Sequence, residues 1–360
     1  VDYSILPVIF PIKDHKSMKR LFTILFLFLP LAVMQAQPGP GMQMSGRVKV
    51  IVDNDLCGDG DGLFHLMHQL LCTSSDVRGI VGAHIGAQSQ AWGLSQGEAS
   101  ARNNAEISVS RALEIIDIVG KTGQIAVKPG APGPMSDSGT AYESEGARLI
   151  IEEAHKATPE RPLYLLFGGP LTDIASAWLM DPSISKNVIL LWIGGQEYDF
   201  GHPFPPEYFK GNNLVEYNLR LDINAAKTVF NDSDLTVWQI PRDVYRQCMY
   251  GMAELDEKIA PLGRIGEYLC SKLGGFSRMA DTYVLGDSPL CLISTLTTTF
   301  EPGAAGSFYE VTKAPHITDS GLYDFTLPNR DIIVYKSVDT RLLFGDMESR
   351  FRLNASNAGN

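Results

Sequence analysis

The chain has 360 residues, of which 44% are hydrophobic and 20% charged, values that are ordinary for a globular protein. This composition excludes a disordered chain, a collagen, a coiled coil and a multi-pass membrane protein. With 41 acidic against 30 basic residues the formal net charge is -11, so the chain lacks the positive charge typical of proteins that bind nucleic acid or anionic lipid. We therefore expect neither a nucleic-acid nor a membrane partner for the mature protein.

The first predicted feature is a secretory signal at Met18–Ala36. Lys19 and Arg20 precede an apolar run, Leu21–Met34, that is too short to span a bilayer comfortably and contains Pro30. We predict that residues 1–36 are upstream residues plus this signal, and that the protein is secreted or periplasmic; an uncleaved anchor is the alternative. Residues 37–46 are predicted to be a linker, and residues 47–360 a single catalytic domain.

From residue 47 onward, short apolar runs alternate with helical patterns. Strands are predicted at Val48–Val52, Val77–Ala83, Leu163–Phe167, Val188–Ile193, Leu235–Gln239 and Ile332–Lys336. Helices are predicted at Leu63–Leu71, Ala99–Val119, Ala141–Ala157, Leu171–Leu179, Ile223–Phe230, Arg264–Met279 and Pro289–Thr298. Continuous apolar strands that alternate with helices indicate an α/β fold with a doubly wound, mostly parallel central sheet flanked by helices, Rossmann-like in its architecture.

The five cysteines do not form a recognisable pattern. They are Cys57, Cys72, Cys248, Cys270 and Cys291, an odd number without CxxC spacing. We expect no disulfide framework and interpret most of these residues as small buried side chains. A single disulfide bond between two of them is the alternative.

A loop rich in carboxylates, Asp53–Gly62, follows the first predicted strand and precedes the first predicted helix. It contains four aspartates within nine residues: Asp53, Asp55, Asp59 and Asp61. In open α/β sheets, ligands bind at the carboxyl ends of the strands. Four neighbouring carboxylates repel one another unless a cation neutralises them, and oxygen ligands favour Ca²⁺ or Mg²⁺. The loop therefore indicates a metal site, and a solvated acidic turn is the alternative.

The aspartates of this loop also partly match two other kinds of site. An EF-hand loop needs a glutamate at its twelfth position, but that position is Phe64 or Leu66, depending on the first aspartate. A haloacid-dehalogenase-type phosphatase would want Thr or Val two residues after the second aspartate, where this chain has Cys57. The EF-hand interpretation fails, and the phosphatase stays as a weaker alternative.

Four segments in chain order carry a resemblance to a known family. They are VIVDNDLCGDGDGLFHL from residue 50, Phe167–Ala175, Trp192–Gly195 with Asn212, Asn213, Glu216, Asn218 and Asp222 after it, and Leu285–Leu290. Together they resemble the sequence blocks of the inosine-uridine-type nucleoside N-ribohydrolases. The segments are spread over about 240 residues, so the resemblance covers most of the chain beyond the signal.

The resemblance implies calcium-dependent hydrolysis of the N-glycosidic bond of ribonucleosides to ribose and free base. It implies one Ca²⁺ ion, ligated by Asp55, Asp61, Asp287 and the carbonyl of Gly168, with Asp55 activating a metal-bound water. The residues that it implies for ribose binding are Asp59, Asn212 or Asn213, Glu216 and Asn218. It also implies a homodimer or homotetramer, and the sequence does not decide between them. An anionic pocket would suit the oxocarbenium-like transition state of such a reaction.

The chain departs from the family pattern at two places that matter for chemistry. Gly60 separates the usually adjacent aspartates, so Asp59 and Asp61 could exchange roles. Gly286 stands where the family often has a histidine that acts as leaving-group acid. We predict that His84, at the end of the second strand, replaces it; a tyrosine or His202 are alternatives. A non-catalytic nucleoside- or sugar-binding protein on the same fold is the alternative function, and the base preference stays open.

Overall fold

The computed structural model describes residues 46–86, 103–198, 214–277, 279–296 and 306–358. All of them belong to one compact unit that begins at Pro40. The predicted signal, most of the predicted linker, Asn212, Asn213 and His202 lie outside the described residues. The described helices include none with both the length and the apolar character needed to cross a bilayer.

The centre of the fold is an eight-stranded sheet with the order β3-β2-β1-β4-β5-β6-β12-β9. All neighbouring strands are parallel except β9, which runs antiparallel to β12 at one edge. The strands are β1 Val48–Asn54, β2 Ser75–Gly82, β3 Val127–Pro129, β4 Leu163–Gly168, β5 Val188–Ile193, β6 Thr236–Ile240, β9 Phe308–Lys313 and β12 Asp331–Ser337. Two small antiparallel pairs lie outside this sheet: β7 Met249–Gly251 with β8 Thr282–Val284, and β10 His316–Ile317 with β11 Tyr323–Asp324.

Helices connect the strands of the sheet. The described α-helices are α1 Asp61–Leu71, α2 Asn104–Ile118, α3 Glu145–Ala154, α4 Thr172–Met180, α5 Tyr217–Leu221, α6 Ile223–Lys227, α7 Arg242–Tyr245, α8 Met252–Glu254, α9 Arg264–Ser277, α10 Pro289–Thr295 and α11 Thr340–Ala358. A 3₁₀ turn at Pro182–Asn187 and π turns at Thr228–Asp232 and Leu255–Ile259 complete the helical segments. The predicted doubly wound, mostly parallel architecture is confirmed.

The two faces of the sheet are both covered by apolar side chains. Alternate residues of a strand point to opposite faces. In β1, Val50 and Val52 belong to the hydrophobic cluster on one face, and Ile51 belongs to the cluster on the other. Every residue of β4 and β5 is buried. This double burial explains why the strands read as continuous apolar runs in the sequence.

The structure differs from the predicted elements at several helices, among them the helix predicted at Ala141–Ala157, which spans Glu145–Ala154. The helix predicted from Ala99 begins at Asn104, because Asn103 and Glu106 form a capping box in which the Asn103 side chain accepts the Glu106 N–H at 2.9 Å. The helix predicted to reach Phe230 ends as α6 and continues as a π turn. The 19-residue helix α11 was not predicted, because its buried side chains form only the narrow stripe Leu343, Met347 and Phe351.

Candidate active site

A cavity of about 470 Å³ opens at the carboxyl ends of the central strands. In open α/β sheets this is the expected position of a ligand site. Five of the described residues that line the cavity are acidic: Asp55, Asp59, Asp61, Glu216 and Asp287. The others are Gly58, Gly168, Ile193, Val215, Tyr217, Asn218, Arg220, Arg242, Tyr245, Arg246, Val284 and Gly286. The structure thus brings together every predicted site residue that it describes, except His84.

The carboxylate loop and a distant aspartate meet in this cavity. Asp61 is the first residue of α1, and its Oδ2 accepts the Asp287 backbone N–H at 3.2 Å. Asp287 is 3% exposed, and its Oδ2 accepts a hydrogen bond from Asn54 Nδ2 at 2.8 Å. Because Asn54 ends β1 and Asp287 directly precedes the turn into α10, this contact fixes Asp287 beside the loop.

Gly168 allows the end of β4 to approach the same aspartate. It pairs with Asn54 across the parallel strands β1 and β4. A Cβ atom at this position would lie 2.6 Å from Asp287 Oδ2, closer than van der Waals contact permits. Only glycine therefore lets the backbone of residue 168 lie next to the Asp287 carboxylate.

Burial and the repulsion of neighbouring carboxylates raise the pKa of Asp55, Asp61 and Asp287. The pKa of Asp55 is raised well above its ordinary value, first by burial and then by Asp287, Asp59 and Glu216. Burial followed by the charges of Asp287 and Asp59 likewise raises the pKa of Asp61. For Asp287, burial is the largest cause and the pKa reaches about 8. A nearby cation would reverse these shifts, because it favours the ionised carboxylates.

The donor groups of the cavity, carboxylates and a backbone carbonyl, fit a divalent cation. Two residues before Asp55, both carboxylate oxygens of Asp53 in β1 are also buried without a hydrogen-bond partner among the described residues. Oxygen donors of this kind suit a hard ion such as Ca²⁺ or Mg²⁺. Among the described side chains, no three His, Cys, Asp or Glu residues are close enough to form a complete metal site as they stand. The donor chemistry fits, and backbone oxygens or a tightening of the loop would be needed to complete the shell.

Glu216 and Asn218 form a second polar wall of the cavity. Glu216 caps α5: its Oε2 accepts the N–H groups of Leu219 at 3.0 Å and Gly195 at 2.8 Å. Asn218 Nδ2 donates to the carbonyl of Ile193, the last residue of β5, at 2.9 Å. Both side chains are thus held rigidly at the cavity. Of the other predicted ribose ligands, Asp59 also lines the cavity, and Asn212 and Asn213 lie outside the described residues.

Tyr245 is a cavity residue that the sequence did not indicate. Its hydroxyl donates to Glu216 Oε1 at 2.8 Å. A Cβ atom at residue 286 would lie 3.1 Å from Tyr245 Cδ2, so the tyrosine ring occupies the space beside Gly286. Burial, together with the Glu216 charge, raises the pKa of Tyr245 well above its ordinary value, so it acts as a hydrogen-bond donor. The position of Tyr245 after β6 is the one signal that could have identified it.

Arg242 precedes Tyr245 by one turn and is fixed by a buried ion pair. Its Nε and Nη2 donate to the two carboxylate oxygens of Glu197 at 2.6 and 2.7 Å. The side chains are 3% and 1% exposed. This bidentate pair joins the segment after β5 to the segment after β6, and thereby shapes one side of the cavity.

His84 is the one described site candidate that does not line the cavity. The Gly86 N–H donates to His84 Nδ1 at 2.9 Å, so the neutral ring carries its proton on Nε2, which donates to Thr172 Oγ1 at 3.0 Å. Thr172 in turn donates to Asp222 Oδ2 at 2.7 Å. Burial lowers the pKa of His84 to about 4. Both ring nitrogens thus have partners, and His84 is not among the described residues that line the cavity; its role as leaving-group acid stays a prediction.

The known proteins to which this chain is similar are nucleoside hydrolases. A family model described as inosine-uridine preferring nucleoside hydrolase matches residues 50–291. A plant nucleoside hydrolase is 16% identical with a TM-score of 0.62, over 85% of this chain and 99% of its own. A purine-preferring ribonucleoside hydrolase from Gardnerella vaginalis is 18% identical with a TM-score of 0.62, over 86% and 99%. An inosine-uridine preferring enzyme from Bacillus anthracis is 17% identical with a TM-score of 0.60, over 85% and 99%. No curated protein matches the chain.

Proposed function

The chain belongs to the inosine-uridine preferring nucleoside hydrolase family, and on that premise we propose that it hydrolyses the N-glycosidic bond of ribonucleosides in a calcium-dependent reaction, with Asp55 as the general base. The observation that carries this proposal is the convergence of Asp55, Asp61 and Asp287 in one cavity with Glu216 and Asn218. The loop with Asp55 and Asp61, the Glu216–Asn218 segment and Asp287 come from distant parts of the sequence, so only the fold unites them.

The acidic character of the cavity suits the chemistry. Cleavage of an N-glycosidic bond builds positive charge on the sugar ring, and preorganised carboxylates stabilise that charge. Asp55 lies at the cavity beside Gly169, whose virtual Cβ would be 3.3 Å from the Asp55 Cβ. In our proposal its carboxylate accepts the proton of the attacking water.

The residues that would hold the cation are Asp55, Asp61, Asp287 and the carbonyl of Gly168. When bound, a divalent ion supplies positive charge that lowers the pKa of water and neutralises the repulsion between these carboxylates. We propose Ca²⁺ because an all-oxygen set of carboxylates and a carbonyl is the type that calcium accepts in flexible geometry.

Ribose recognition falls to the polar wall of the cavity. Buried hydroxyl groups of a sugar need several hydrogen-bond partners. We propose Asp59, Glu216 and Asn218 for this role, with Asn212 or Asn213 from outside the described residues. Glu216 already accepts three hydrogen bonds from protein groups, which fixes the direction in which its remaining acceptor capacity points.

In the proposed complex, the leaving base contacts the side chain of Tyr245. The tyrosine fills the space beside Gly286 and presents an aromatic ring and a hydroxyl to the cavity. We propose that Tyr245 packs against the base and holds Glu216, in place of an acidic histidine. Substrates whose base leaves readily without protonation should then be favoured.

The proposed setting of the enzyme is outside the cytoplasm. The support is the basic pair and apolar run of Met18–Ala36. The mature protein isolated after secretion would then begin at Gln37, which mass spectrometry of its amino terminus measures. A homodimer or homotetramer is proposed from the family resemblance alone.

The test of the proposed function is reducing-sugar release from a panel of purine and pyrimidine ribonucleosides, with and without a calcium chelator. We expect release of ribose that the chelator abolishes and added Ca²⁺ restores. Release that is unchanged by the chelator would contradict calcium dependence. Nucleoside binding without any sugar release would instead support the non-catalytic binding protein.

A further inference from the structure

Two buried cysteines meet at the end of α1 that is remote from Asp61. Cys72 directly follows α1, and Cys291 lies in the first turn of α10; they are 2% and 0% exposed. Both sulfur atoms lie 3.5 Å from Thr295 Oγ1. The two thiols therefore face the same hydroxyl group, and each one shifts the pKa of the other.

The backbone holds both cysteines in this arrangement. The Cys72 N–H donates to the carbonyls of His68 at 3.0 Å and Gln69 at 3.3 Å, and its own carbonyl accepts the Ser75 N–H at 3.1 Å. Thr295 Oγ1 donates to the Cys291 carbonyl at 2.7 Å. These bonds fix the backbone of both cysteines, so the two sulfur atoms are kept on the same side of Thr295.

The surroundings of the pair distinguish one thiol from the other. The hydrogen bond from Cys291, followed by that from Thr295 and the charge of Arg350, outweighs the effect of burial and lowers the pKa of Cys72 to about 5. Burial raises the pKa of Cys291. A thiolate in contact with a protonated thiol is the arrangement that thiol–disulfide exchange uses.

We propose that Cys72 and Cys291 form a disulfide bond when the protein folds in an oxidising compartment. The oxidant is a small disulfide such as oxidised glutathione. The Cys72 thiolate attacks it to give a mixed disulfide and one small thiol, and the Cys291 sulfur, after loss of its proton, displaces the second. The two cysteines lose two electrons in total, and the small disulfide gains them as two thiols.

The bond would join the end of α1, which carries the candidate metal ligand Asp61 at its beginning, to the first turn of α10, which directly follows the Asp287 segment. Asp61 is the first residue of α1, and Asp287 lies just before α10. The cysteines are far apart in sequence, so the bridge would close a long loop and restrict the unfolded chain strongly. We expect the oxidised protein to unfold at a higher temperature than the reduced protein, by on the order of 5–10 °C.

Two of the other described cysteines, Cys57 and Cys248, provide internal controls. Cys57 hydrogen-bonds with Ser108, and its sulfur lies 4.0 Å from the Ala83 carbonyl. For Cys248, burial alone raises the pKa to about 12. These thiols should stay reduced where Cys72 and Cys291 are joined.

The experiment uses the full chain, isolated from an oxidising compartment and alkylated under denaturing conditions before tryptic digestion. We expect a disulfide between the tryptic peptides 50–78 and 279–313, which mass spectrometry detects and which a reducing agent removes. The first peptide contains both Cys57 and Cys72, so the matched control is Cys57→Ser, in which the link must persist. Alkylation of all five cysteines, or a link that disappears in Cys57→Ser, would overturn the proposal.

A second measurement uses the wild-type protein, so it tests the proposal even if a variant folds poorly. Thermal unfolding of the wild-type protein should show the higher transition before reduction and the lower one after it. Cys72→Ala should unfold at one temperature under both conditions. Equal transitions for oxidised and reduced wild-type protein would contradict the proposed stabilising bridge. None of these measurements depends on nucleoside hydrolysis.

Discussion

Asp55 is the residue on which the proposed reaction depends most directly. Asp55→Asn keeps the size of the side chain but removes the proton acceptor and one charge from the carboxylate cluster. We expect kcat for nucleoside hydrolysis to fall by about 10²–10⁴-fold, the usual range for loss of a general base. Steady-state kinetics at saturating Ca²⁺ measures this effect. The matched control is Asp117→Asn on α2, which should leave kcat unchanged; near wild-type turnover of the Asp55 variant would exclude Asp55 as the base.

Tyr245 offers a test of how the ribose wall is held. Tyr245→Phe removes the hydrogen bond to Glu216 Oε1 and keeps the ring beside Gly286. A hydrogen bond to a charged group contributes about 1.5–3 kcal/mol, so loosening Glu216 should raise KM by roughly ten-fold or more, with a smaller fall in kcat. Tyr309→Phe on edge strand β9 serves as the control. If KM stays unchanged and kcat alone falls, Tyr245 acts on the leaving base and not through Glu216.

Single residues also show which parts of the site can be predicted from the sequence and which cannot. The carboxylate loop could be recognised in the sequence because four neighbouring carboxylates repel one another unless a cation neutralises them. The family resemblance added Asp287, Glu216 and Asn218. Tyr245 and Arg242 could not be found in this way, because nothing in their local pattern is unusual. His84 lies where the strand pattern placed it, but the hydrogen bonds of its ring nitrogens depend on Gly86 and Thr172 and are invisible in a sequence.

At the scale of elements, the ion pair between Glu197 and Arg242 joins the carboxyl ends of β5 and β6. Removing one partner of a buried pair leaves an uncompensated charge and costs about 3–5 kcal/mol. We expect Arg242→Leu to lower the free energy of unfolding by about this amount. The double variant Glu197→Leu, Arg242→Leu should recover a substantial part of it. Urea unfolding measures both, and simple additivity of the two single effects would contradict a coupled pair.

The elements differ in how well their sequence reveals them. β4 and β5 are buried on both faces, so their residues are apolar throughout and were predicted within one residue of their observed ends. The long helix α11 has only three buried apolar side chains at four-residue spacing in its centre, and most of its surface is polar. Short strands such as β7 and β10 pair outside the main sheet, and two or three residues carry no periodicity.

The whole molecule explains why the site can be assembled from distant segments. Parallel strands end on one edge of the sheet, so the loop after β1, the glycine at the end of β4 and the segments after β5 and β6 meet there. Asp287 comes from a late segment and is fixed there by Asn54 of β1. Apolar side chains cover both faces of the sheet, and this packing holds the edge rigid. Repulsion among the carboxylates therefore lowers the stability of the folded protein. A bound metal ion that reduces this repulsion would raise that stability.

This coupling predicts how stability depends on pH when the metal is removed. In the metal-free protein, burial and neighbouring carboxylates raise the pKa of Asp55 and Asp61, and that of Asp287 to about 8, above the ordinary value of 3.8. A group whose pKa is raised on folding contributes stability that is fully present below its unfolded pKa and is lost as pH rises through its folded pKa. The chelated protein should therefore become less stable between about pH 4 and about pH 8.

Added Ca²⁺ should oppose this loss, because a cation binds the ionised carboxylates and competes with their protons. The difference in Tm between protein with Ca²⁺ and protein with chelator should widen steadily over the same pH range. Thermal unfolding under both conditions measures the difference. Asp287→Asn is the matched variant: it removes the strongly shifted group, so the chelated protein should show a flatter pH profile and a smaller response to Ca²⁺. A Tm difference that is independent of pH would show that the cluster does not bind the ion through its ionised carboxylates.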